Sequence, residues 1–304
     1  MSVTTTAQPV SVDVRTKLSP EEFHAEYMGR RPVVMRGAVA DMPAVSTWSA
    51  AHLAEVAPDQ QVRVKVGTVS AGRTAVVRLA DYAREVAEWE TGVAGVAGDD
   101  DPGDPPGYLH DVPLLSMIPA LRRDLEPFPV EYFPRFFRDQ WWSFTQFFVG
   151  PSRAQTPLHF DTLLTHNLFF QMQGSKRFVM VADAERDKCY TYNWRWAAVD
   201  PEAPDLERYP LFRDATVLTC DVEAGDIFYM PPGTLHKVTS PSASISFNID
   251  WHDRASALRG IAAVREGMPL TNLRYNLLFA LGVVAGAPRG LLMPGLRSYY
   301  SYIS

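Results

Sequence analysis

Hydrophobic and polar positions divide the chain into stretches with different periodicities. In residues 1–139, apolar positions recur at the spacing of a helix in three places, at 19–28, 46–57 and 79–90. Between them, runs of β-branched or alternating residues predict strands at 31–39 and 61–67. The first helix also carries a start signal, because Ser19, Pro20 and Glu22 have the spacing of a capping box. We therefore predict an N-terminal α/β segment that buttresses the remainder of the fold.

The pattern changes at about residue 140, and residues 140–254 consist of short β-rich runs such as "WWSFTQFFVG", "HNLFFQMQG", "KRFVMVA" and "SISFNIDW". Gly, Pro and Asp residues separate these runs. Many short strands with such turns predict a mainly β fold with flanking helices, in the form of a barrel or a double-sheet jelly roll.

Two further segments differ from this core. Residues 97–107 contain four aspartates and three prolines, and such a composition predicts an exposed, mobile loop. Residues 255–304 return to helical spacing. Their run "NLRYNLLFALGVV" (272–284) is apolar enough either to pack on the chain's own barrel or to form a homodimer contact, and the sequence favours neither.

Composition narrows the class of protein. The chain has 304 residues, a formal net charge of -6 and a pI near 5.7, which argues against general nucleic-acid binding. Cys189 and Cys220 are the only cysteines, too few for a disulfide scaffold or a cysteine-rich zinc site. The start "MSVTTTAQPVSV" lacks the features of a signal peptide, and the apolar run at 277–287 is too short to span a bilayer. We expect a cytoplasmic protein without membrane contact.

The stretch "TPLHFD" (156–161) carries the first candidate chemistry. On a strand, His159 and Asp161 would point to the same face. A second histidine, His236, follows the Pro-Gly turn of "EAGDIFYMPPGTLHKV" (223–238). Two histidines and one carboxylate can occupy one face of a non-heme Fe(II) ion and leave positions open for a co-substrate and O2. Each piece alone also occurs in proteins without a metal, so their combination carries the hypothesis.

A lysine supplies the third element. In "QMQGSKRFVMV" (171–181), Lys176 starts a predicted strand directly after the Gly174 turn. If it points into the barrel, its ammonium needs a carboxylate partner, because an unpaired buried charge is costly. If it points outward beside Arg177, it is a surface charge that discourages aggregation. From Lys176 alone, the surface interpretation is favoured, and only the combination with the metal-type motifs supports the inward one.

The ordered combination "TPLHFD", "GSKRF", "EAGDIFYMPPGTLHKV" and "SISFNIDW" resembles the JmjC/cupin-like 2-oxoglutarate-dependent oxygenases. Within this family it is most similar to the subgroup that contains the asparaginyl hydroxylase inhibiting hypoxia-inducible factor. The segments at 30–49 and 204–212 extend the similarity, which covers roughly residues 20–252. The resemblance implies a double-stranded β-helix, with iron held by His159, Asp161 and His236.

The same resemblance implies a co-substrate site. Lys176 would pair with the distal carboxylate of 2-oxoglutarate, helped by the hydroxyl of Thr156. Asn167 and Asn248 match amides near the co-substrate, and Tyr108 matches a tyrosine near its distal carboxylate. Between Asp161 and Asn167 this chain has two more residues than that hydroxylase, in "TLLTH" (162–166), a difference that bears on substrate fit.

We therefore expect an enzyme that uses Fe(II), 2-oxoglutarate and O2 to hydroxylate a peptide or a small amino-acid-derived substrate. A metal-dependent cupin of another class, such as an isomerase or a 2-oxoglutarate-independent dioxygenase, is one alternative. A non-catalytic cupin-fold binding protein is the other. Among further polar residues, Asp250, Trp251 and His252 are candidates for the edge of a substrate cleft, and His166 for a loop or the pocket rim. Arg195 is interpreted as a surface residue rather than a substrate contact.

Overall fold

The computed structural model describes residues 9–95 and 103–303. Its strands are β1 (Val10–Ser11), β2 (Asp13–Arg15), β3 (Val33–Met35), β4 (Gln61–Lys65), β5 (Thr74–Arg78), β6 (Leu109–Val112), β7 (Thr145–Gly150), β8 (Gln155–His159), β9 (His166–Gln173), β10 (Ser175–Val181), β11 (Thr191–Tyr192), β12 (Trp196–Ala197), β13 (Val217–Glu223), β14 (Ile227–Met230), β15 (Leu235–Thr239) and β16 (Ser244–Trp251). Its α-helices are α1 (Pro20–Glu26), α2 (Pro43–Thr47), α3 (Ala50–Val56), α4 (Leu79–Gly95), α5 (Leu114–Met117), α6 (Arg135–Arg138), α7 (Arg254–Ala262), α8 (Leu270–Val283) and α9 (Arg289–Ile303). Of the loop predicted at 97–107, residues 97–102 lie outside the described residues.

Two large sheets form the body of the fold. The first has the strand order β1-β13-β10-β15-β8-β12-β11, and the second has the order β2-β3-β14-β9-β16-β7-β6. Side chains from the two sheets meet between them: the ring of Phe178 lies 5.2 Å from that of Phe169 and 4.8 Å from that of Phe228. This is a jelly roll with flanking helices, and it confirms the predicted fold class.

The alternation of side chains on β10 decides which way Lys176 points. Lys176, Phe178 and Met180 are buried between the sheets. Arg177 lies on the other face, where it forms surface ion pairs with Asp221 and Glu202. Since successive residues of a strand point to opposite faces, the lysine is directed into the barrel together with the apolar residues.

The second sheet is buried on both faces. On the face away from the barrel interior, Phe170 stacks on Phe247 at 4.8 Å, and Phe128 stacks on Trp141 at 3.6 Å. These rings belong to the largest apolar cluster, which also contains residues of α1 and α4. The N-terminal segment therefore covers this sheet, and burial on both faces explains why every residue of β9 except Gln173 is buried, although half of them are polar.

The N-terminal helices agree with the sequence except in one place. The capping box of α1 is confirmed, with Ser19 accepting from the Glu22 amide at 3.2 Å and Glu22 accepting from the Ser19 amide at 3.0 Å. The single helix predicted at 46–57 is wrong, because the chain forms α2 and α3 with a break at Trp48. Ser49 has an extended backbone and caps α3 by accepting from the His52 amide at 3.0 Å.

The C-terminal helices combine a packed face and an open face. Phe279 of α8 is buried and its ring lies 5.9 Å from that of Phe137. On the same helix Leu277 and Leu281 are 45% and 48% exposed. A homodimer contact through residues 255–304 stays a prediction. Within the described residues, no helix combines the length and apolarity needed to cross a membrane.

Candidate active site

Three donor groups meet between the two sheets. His159 ends β8, and its cross-strand partner on β15 is His236. The two imidazole rings have centroids 4.3 Å apart. Asp161 follows β8 by two residues, and one candidate ligand atom from each of the three residues lies within 4.8 Å of the others. The structure thus brings together the predicted metal-ligand residues in an arrangement that could hold a metal ion.

Both imidazoles are oriented by the backbone. Nδ1 of His159 lies 2.8 Å from the carbonyl of Pro157, and Nδ1 of His236 lies 3.0 Å from the carbonyl of Thr234. A carbonyl only accepts, so each Nδ1 carries the proton and each Nε2 is left with its lone pair. Burial is the largest cause that lowers the pKa of both histidines, that of His159 well below its ordinary value. The neutral form, which binds metals, is therefore favoured.

The carboxylate is also held in place. Asn167 on β9 donates from Nδ2 to Oδ2 of Asp161 at 3.0 Å, while Oδ1 of Asp161 lies 3.9 Å from Nε2 of His236. Two imidazole nitrogens and one carboxylate oxygen are a donor set that suits a divalent transition metal such as Fe(II). The residues present therefore fit the metal that the sequence predicts.

Lys176 lies in the same pocket without an acidic partner. Its Nζ donates to the hydroxyl of Tyr108 at 2.7 Å and to that of Ser240 at 3.0 Å. The residue is 1% exposed, and burial lowers the pKa of its ammonium to about 7. No carboxylate forms an ion pair with this Nζ in the part of the chain that the structure describes. An anion entering the pocket would supply the missing partner.

The lining of the pocket combines polar and apolar groups. Its space not occupied by atoms is about 590 Å³, part of which is open solvent. Apolar residues line it together with the polar groups, namely Phe148, Phe169, Phe178, Met230 and Val238. His159, Asp161 and His236, hereafter called the metal-type cluster, therefore share one cavity with Lys176.

A family model for the cupin-like domain matches residues 20–257. The chain belongs to the cupin-like domain family. This finding confirms the family-level resemblance that the motifs indicate. The closer similarity to the asparaginyl hydroxylase subgroup stays a prediction.

Curated relatives agree with the family assignment. This cupin-like chain is 26% identical to human tRNA wybutosine-synthesizing protein 5 over 249 residues, which cover 77% of this chain and 75% of the human protein. It is 27% identical to Jumonji C domain-containing protein 5 of Drosophila melanogaster over 247 residues, covering 77% of this chain and 58% of the fly protein. It is also 27% identical to Arabidopsis thaliana lysine-specific demethylase JMJ30 over 252 residues, covering 81% of this chain and 56% of that protein.

The five residues predicted for the co-substrate all line this pocket: Lys176, Thr156, Asn167, Asn248 and Tyr108. Their roles stay predictions. Sequence reasoning missed Ser240, which contacts Lys176, and His110, whose Nε2 lies 3.1 Å from Oγ1 of Thr156. The signal for His110 was its place two residues after Tyr108 in "GYLHD", which puts both side chains on one face of a strand.

Several other expectations need correction. Arg195, interpreted as a surface residue, lines the pocket. Asp250, a candidate for the edge of a cleft, lines the pocket in agreement with that expectation. Trp251 and His252 are instead fully buried outside it. His166 does not lie at the pocket rim. It starts β9 on the opposite face, where Nδ1 lies 2.8 Å from the Tyr229 hydroxyl.

Proposed function

We propose that this cupin-like protein is an Fe(II)- and 2-oxoglutarate-dependent oxygenase that hydroxylates a C–H bond of a peptide or a small amino-acid-derived substrate. One observation carries the proposal: a buried lysine without an acidic partner shares a pocket with two histidines and a carboxylate that can hold a metal. Another cupin would need the metal-type cluster but would have no use for the lysine. A relative named as a demethylase adds support for oxidative chemistry.

The assignment of the metal follows the donor atoms. His159 and His236 would bind iron through Nε2, and Asp161 would bind it through a carboxylate oxygen. When bound, Fe(II) and 2-oxoglutarate supply an oxidant for a C–H bond, with consumption of O2 and release of succinate and CO2. Asn167 keeps the Asp161 carboxylate in place through its hydrogen bond.

The remaining residues bind and orient. Lys176 would pair with the distal carboxylate, and the hydroxyls of Tyr108 and Ser240 already fix the position of its Nζ. Thr156 and Asn248 line the same pocket from opposite sheets and offer further hydrogen-bonding groups. The apolar residues between them keep water away from the reacting atoms, which strengthens each charged contact.

The test is a succinate assay on purified protein with Fe(II), 2-oxoglutarate and O2, combined with a measurement of bound metal. We expect the native protein to bind about one iron and to form succinate. His159→Ala should lose both properties, whereas Lys176→Ala should retain the metal and lose succinate formation. Arg177→Ala is the matched control, because this neighbour on β10 faces outward, and we expect it to behave like the native protein.

The outcomes separate the alternatives. Metal binding without succinate formation in the native protein would indicate a cupin of another class. Absence of metal binding would indicate a non-catalytic binding protein. Succinate formation that survives in Lys176→Ala would overturn the assigned role of the lysine.

A further inference from the structure

Arg195 is brought to the metal-type cluster by a strained turn. It follows Asn193 and Trp194 in the hairpin between β11 and β12, and both preceding residues have positive φ angles, 47° and 72°. For a residue as bulky as tryptophan this conformation is costly and needs support from its surroundings. Trp194 has that support: its indole donates to the carbonyl of Thr162 at 2.9 Å, and its ring packs edge-on against Phe160. Such strain is typical of functional sites.

The turn leaves the Arg195 side chain in the pocket. Its guanidinium carbon lies 4.9 Å from the centre of the Trp196 ring, which is itself 5.2 Å from the His159 ring. Nε of Arg195 is buried and has no hydrogen-bond partner among residues 9–95 and 103–303. A buried guanidinium donor without a partner is unfavourable in the free protein. Its planar fork is suited to a carboxylate.

Two acidic side chains besides Asp161 line the same pocket. Asp111 is the extra residue of a β-bulge in the pairing of β6 with β7, and its φ of 62° is in the left-handed region. A bulge at the edge of a barrel redirects a side chain, and Asp111 lines the pocket as a result. Its Oδ2 lies 2.9 Å from Nδ1 of His110, so Oδ1 is left for another donor.

Asp250 reaches the pocket by strand alternation. It lies two residues after Asn248 on β16, so both side chains face inward. Asn248 donates from Nδ2 to Oδ1 of Asp250 at 2.9 Å. Burial, together with the charges of Asp161 and Asp111, raises the pKa of the Asp250 carboxyl well above its ordinary value. No ion pair within 4.0 Å joins Arg195 to Asp111 or Asp250 in the described ranges. The pocket therefore presents a guanidinium and two carboxyl groups that form no ion pair with it, and an ammonium group that enters beside Asp250 would favour the ionised form of that carboxyl.

We propose that this pocket binds a substrate unit with a free carboxylate and a free ammonium group, as in an α-amino acid, with the carboxylate on Arg195 and the ammonium on Asp111 and Asp250. This inference rests on the proposed function, because Lys176 and the metal-type cluster are reserved for the co-substrate and iron. A substrate with only one charge would leave either the guanidinium or the carboxylates unpaired in a largely buried pocket. A substrate with both charges pairs with the guanidinium and with the carboxyl groups at the same time.

The test uses Mn(II) in place of iron, under argon and with saturating 2-oxoglutarate, so that binding is measured without turnover. The probes are the proteinogenic L-amino acids in free form, with their C-terminal amides and N-acetyl derivatives. Binding is measured by calorimetry. We expect at least one free amino acid to bind, and we expect its amide and its N-acetyl form to bind about 10- to 100-fold more weakly, because each lacks one charge-assisted contact.

Two variants assign the contacts. Arg195→Gln should remove the preference for the free carboxylate over the amide, and Asp250→Asn should reduce the preference for the free amine over the N-acetyl form. Arg195→Gln should keep the Mn(II) and 2-oxoglutarate affinities of the native protein, and Asp250→Asn should keep its Mn(II) affinity, which shows that both variants are folded. Arg177→Gln, on the outer face of the barrel, is the matched control and should keep both preferences.

The results distinguish failure of the proposed function from failure of this inference alone. If the native protein does not bind Mn(II) and 2-oxoglutarate, the proposed function fails and this inference fails with it. If it binds both but no free amino acid binds, or if the amide and N-acetyl forms bind equally well, the inference alone is overturned. It is also overturned if Arg195→Gln discriminates as strongly as the native protein.

Discussion

The side-chain amide of Asn167 donates a hydrogen bond of 3.0 Å to Oδ2 of Asp161. This contact joins β9 of one sheet to the end of β8 in the other, at the carboxylate of the proposed metal site. Groups that orient a metal ligand in this way often matter almost as much as the ligand itself. The resemblance assigned Asn167 to the co-substrate, whereas the contact assigns it a role in positioning the ligand.

We expect Asn167→Ala to weaken metal binding by about 10- to 100-fold, because Asp161 loses the donor that fixes its rotamer. Competition with a chelator of known affinity for Mn(II) measures this change. Gln171→Ala is the control, since Gln171 is another buried amide on β9 and does not line the pocket. An equal loss of affinity in both variants would mean that general loosening of β9, rather than the hydrogen bond, is the cause.

Lys176 predicts a pH dependence of co-substrate binding. Burial lowers the pKa of its ammonium to about 7 in the unliganded protein, whereas a bound carboxylate requires the charged form. Above pH 7 the free protein has lost this proton and must take it up on binding. The affinity for 2-oxoglutarate should therefore fall between pH 7 and pH 9, by up to about tenfold per unit. Calorimetry in buffers of different ionisation enthalpy measures both the affinity and the proton uptake.

Lys176→Arg is the informative variant for this prediction. A guanidinium stays protonated over the whole range, so the variant should bind with little pH dependence, even if the longer side chain lowers the affinity. A native protein whose affinity is constant from pH 7 to pH 9 would contradict the depressed pKa.

Local sequence signals predict much of this fold because they act over a few residues. The capping box at Ser19 and the β-rich runs after residue 140 depend on neighbours in the chain, and both are found in the structure. The direction of Lys176 also has a local component, since strand alternation places it on the same face as Phe178. Only the fold shows that this face is the interior.

The positions of Asp111 and Arg195 in the pocket could not be predicted from the sequence, because they depend on irregular backbone. Asp111 lines the pocket through a bulge, and Arg195 does so through two residues with positive φ. Neither conformation has a glycine to mark it in the sequence. Tyr299, far along the chain on α9, also lines the pocket, and no pattern in its own segment indicates this. Contacts of this kind are set by tertiary packing rather than by propensity.

Removal of the Asp226 charge should destabilise the junction between the N-terminal segment and the barrel. This buried carboxylate accepts from Arg36 at 2.5 Å, from the Gly37 amide at 2.9 Å and from the Glu223 amide at 2.8 Å. We expect Asp226→Asn to lower the free energy of unfolding by about 1.5–3 kcal/mol, because charge-assisted hydrogen bonds are lost. Urea unfolding followed by circular dichroism measures the change.

The same substitution at an exposed position on β13 provides the comparison. Asp221 is 59% exposed and lies 3.4 Å from Arg177, so Asp221→Asn should change the free energy of unfolding by about 0–1 kcal/mol. Equal effects at the two positions would show that the buried network around Asp226 contributes no more than a surface ion pair.

Gly174 forms the turn that leads into β10 and thus sets the start of the strand that carries Lys176. Its φ is +69°, and a Cβ at this position would lie 2.1 Å from the carbonyl oxygen of Ala243, a backbone atom that cannot move aside on its own. We expect Gly174→Ala to lower the free energy of unfolding by about 2–4 kcal/mol, since backbone strain and a steric clash add. It should also weaken 2-oxoglutarate binding, because the turn and Lys176 shift together.

Gly72 separates the two contributions. Its φ is +70°, and a Cβ there would have nothing within 4 Å, so Gly72→Ala adds only the cost of the left-handed backbone, about 1–2 kcal/mol. The difference between the two variants in urea unfolding measures the clash with the Ala243 carbonyl. If the two variants lose the same stability, the turn at Gly174 can relax away from Ala243, and 2-oxoglutarate binding in Gly174→Ala should then match that of the native protein.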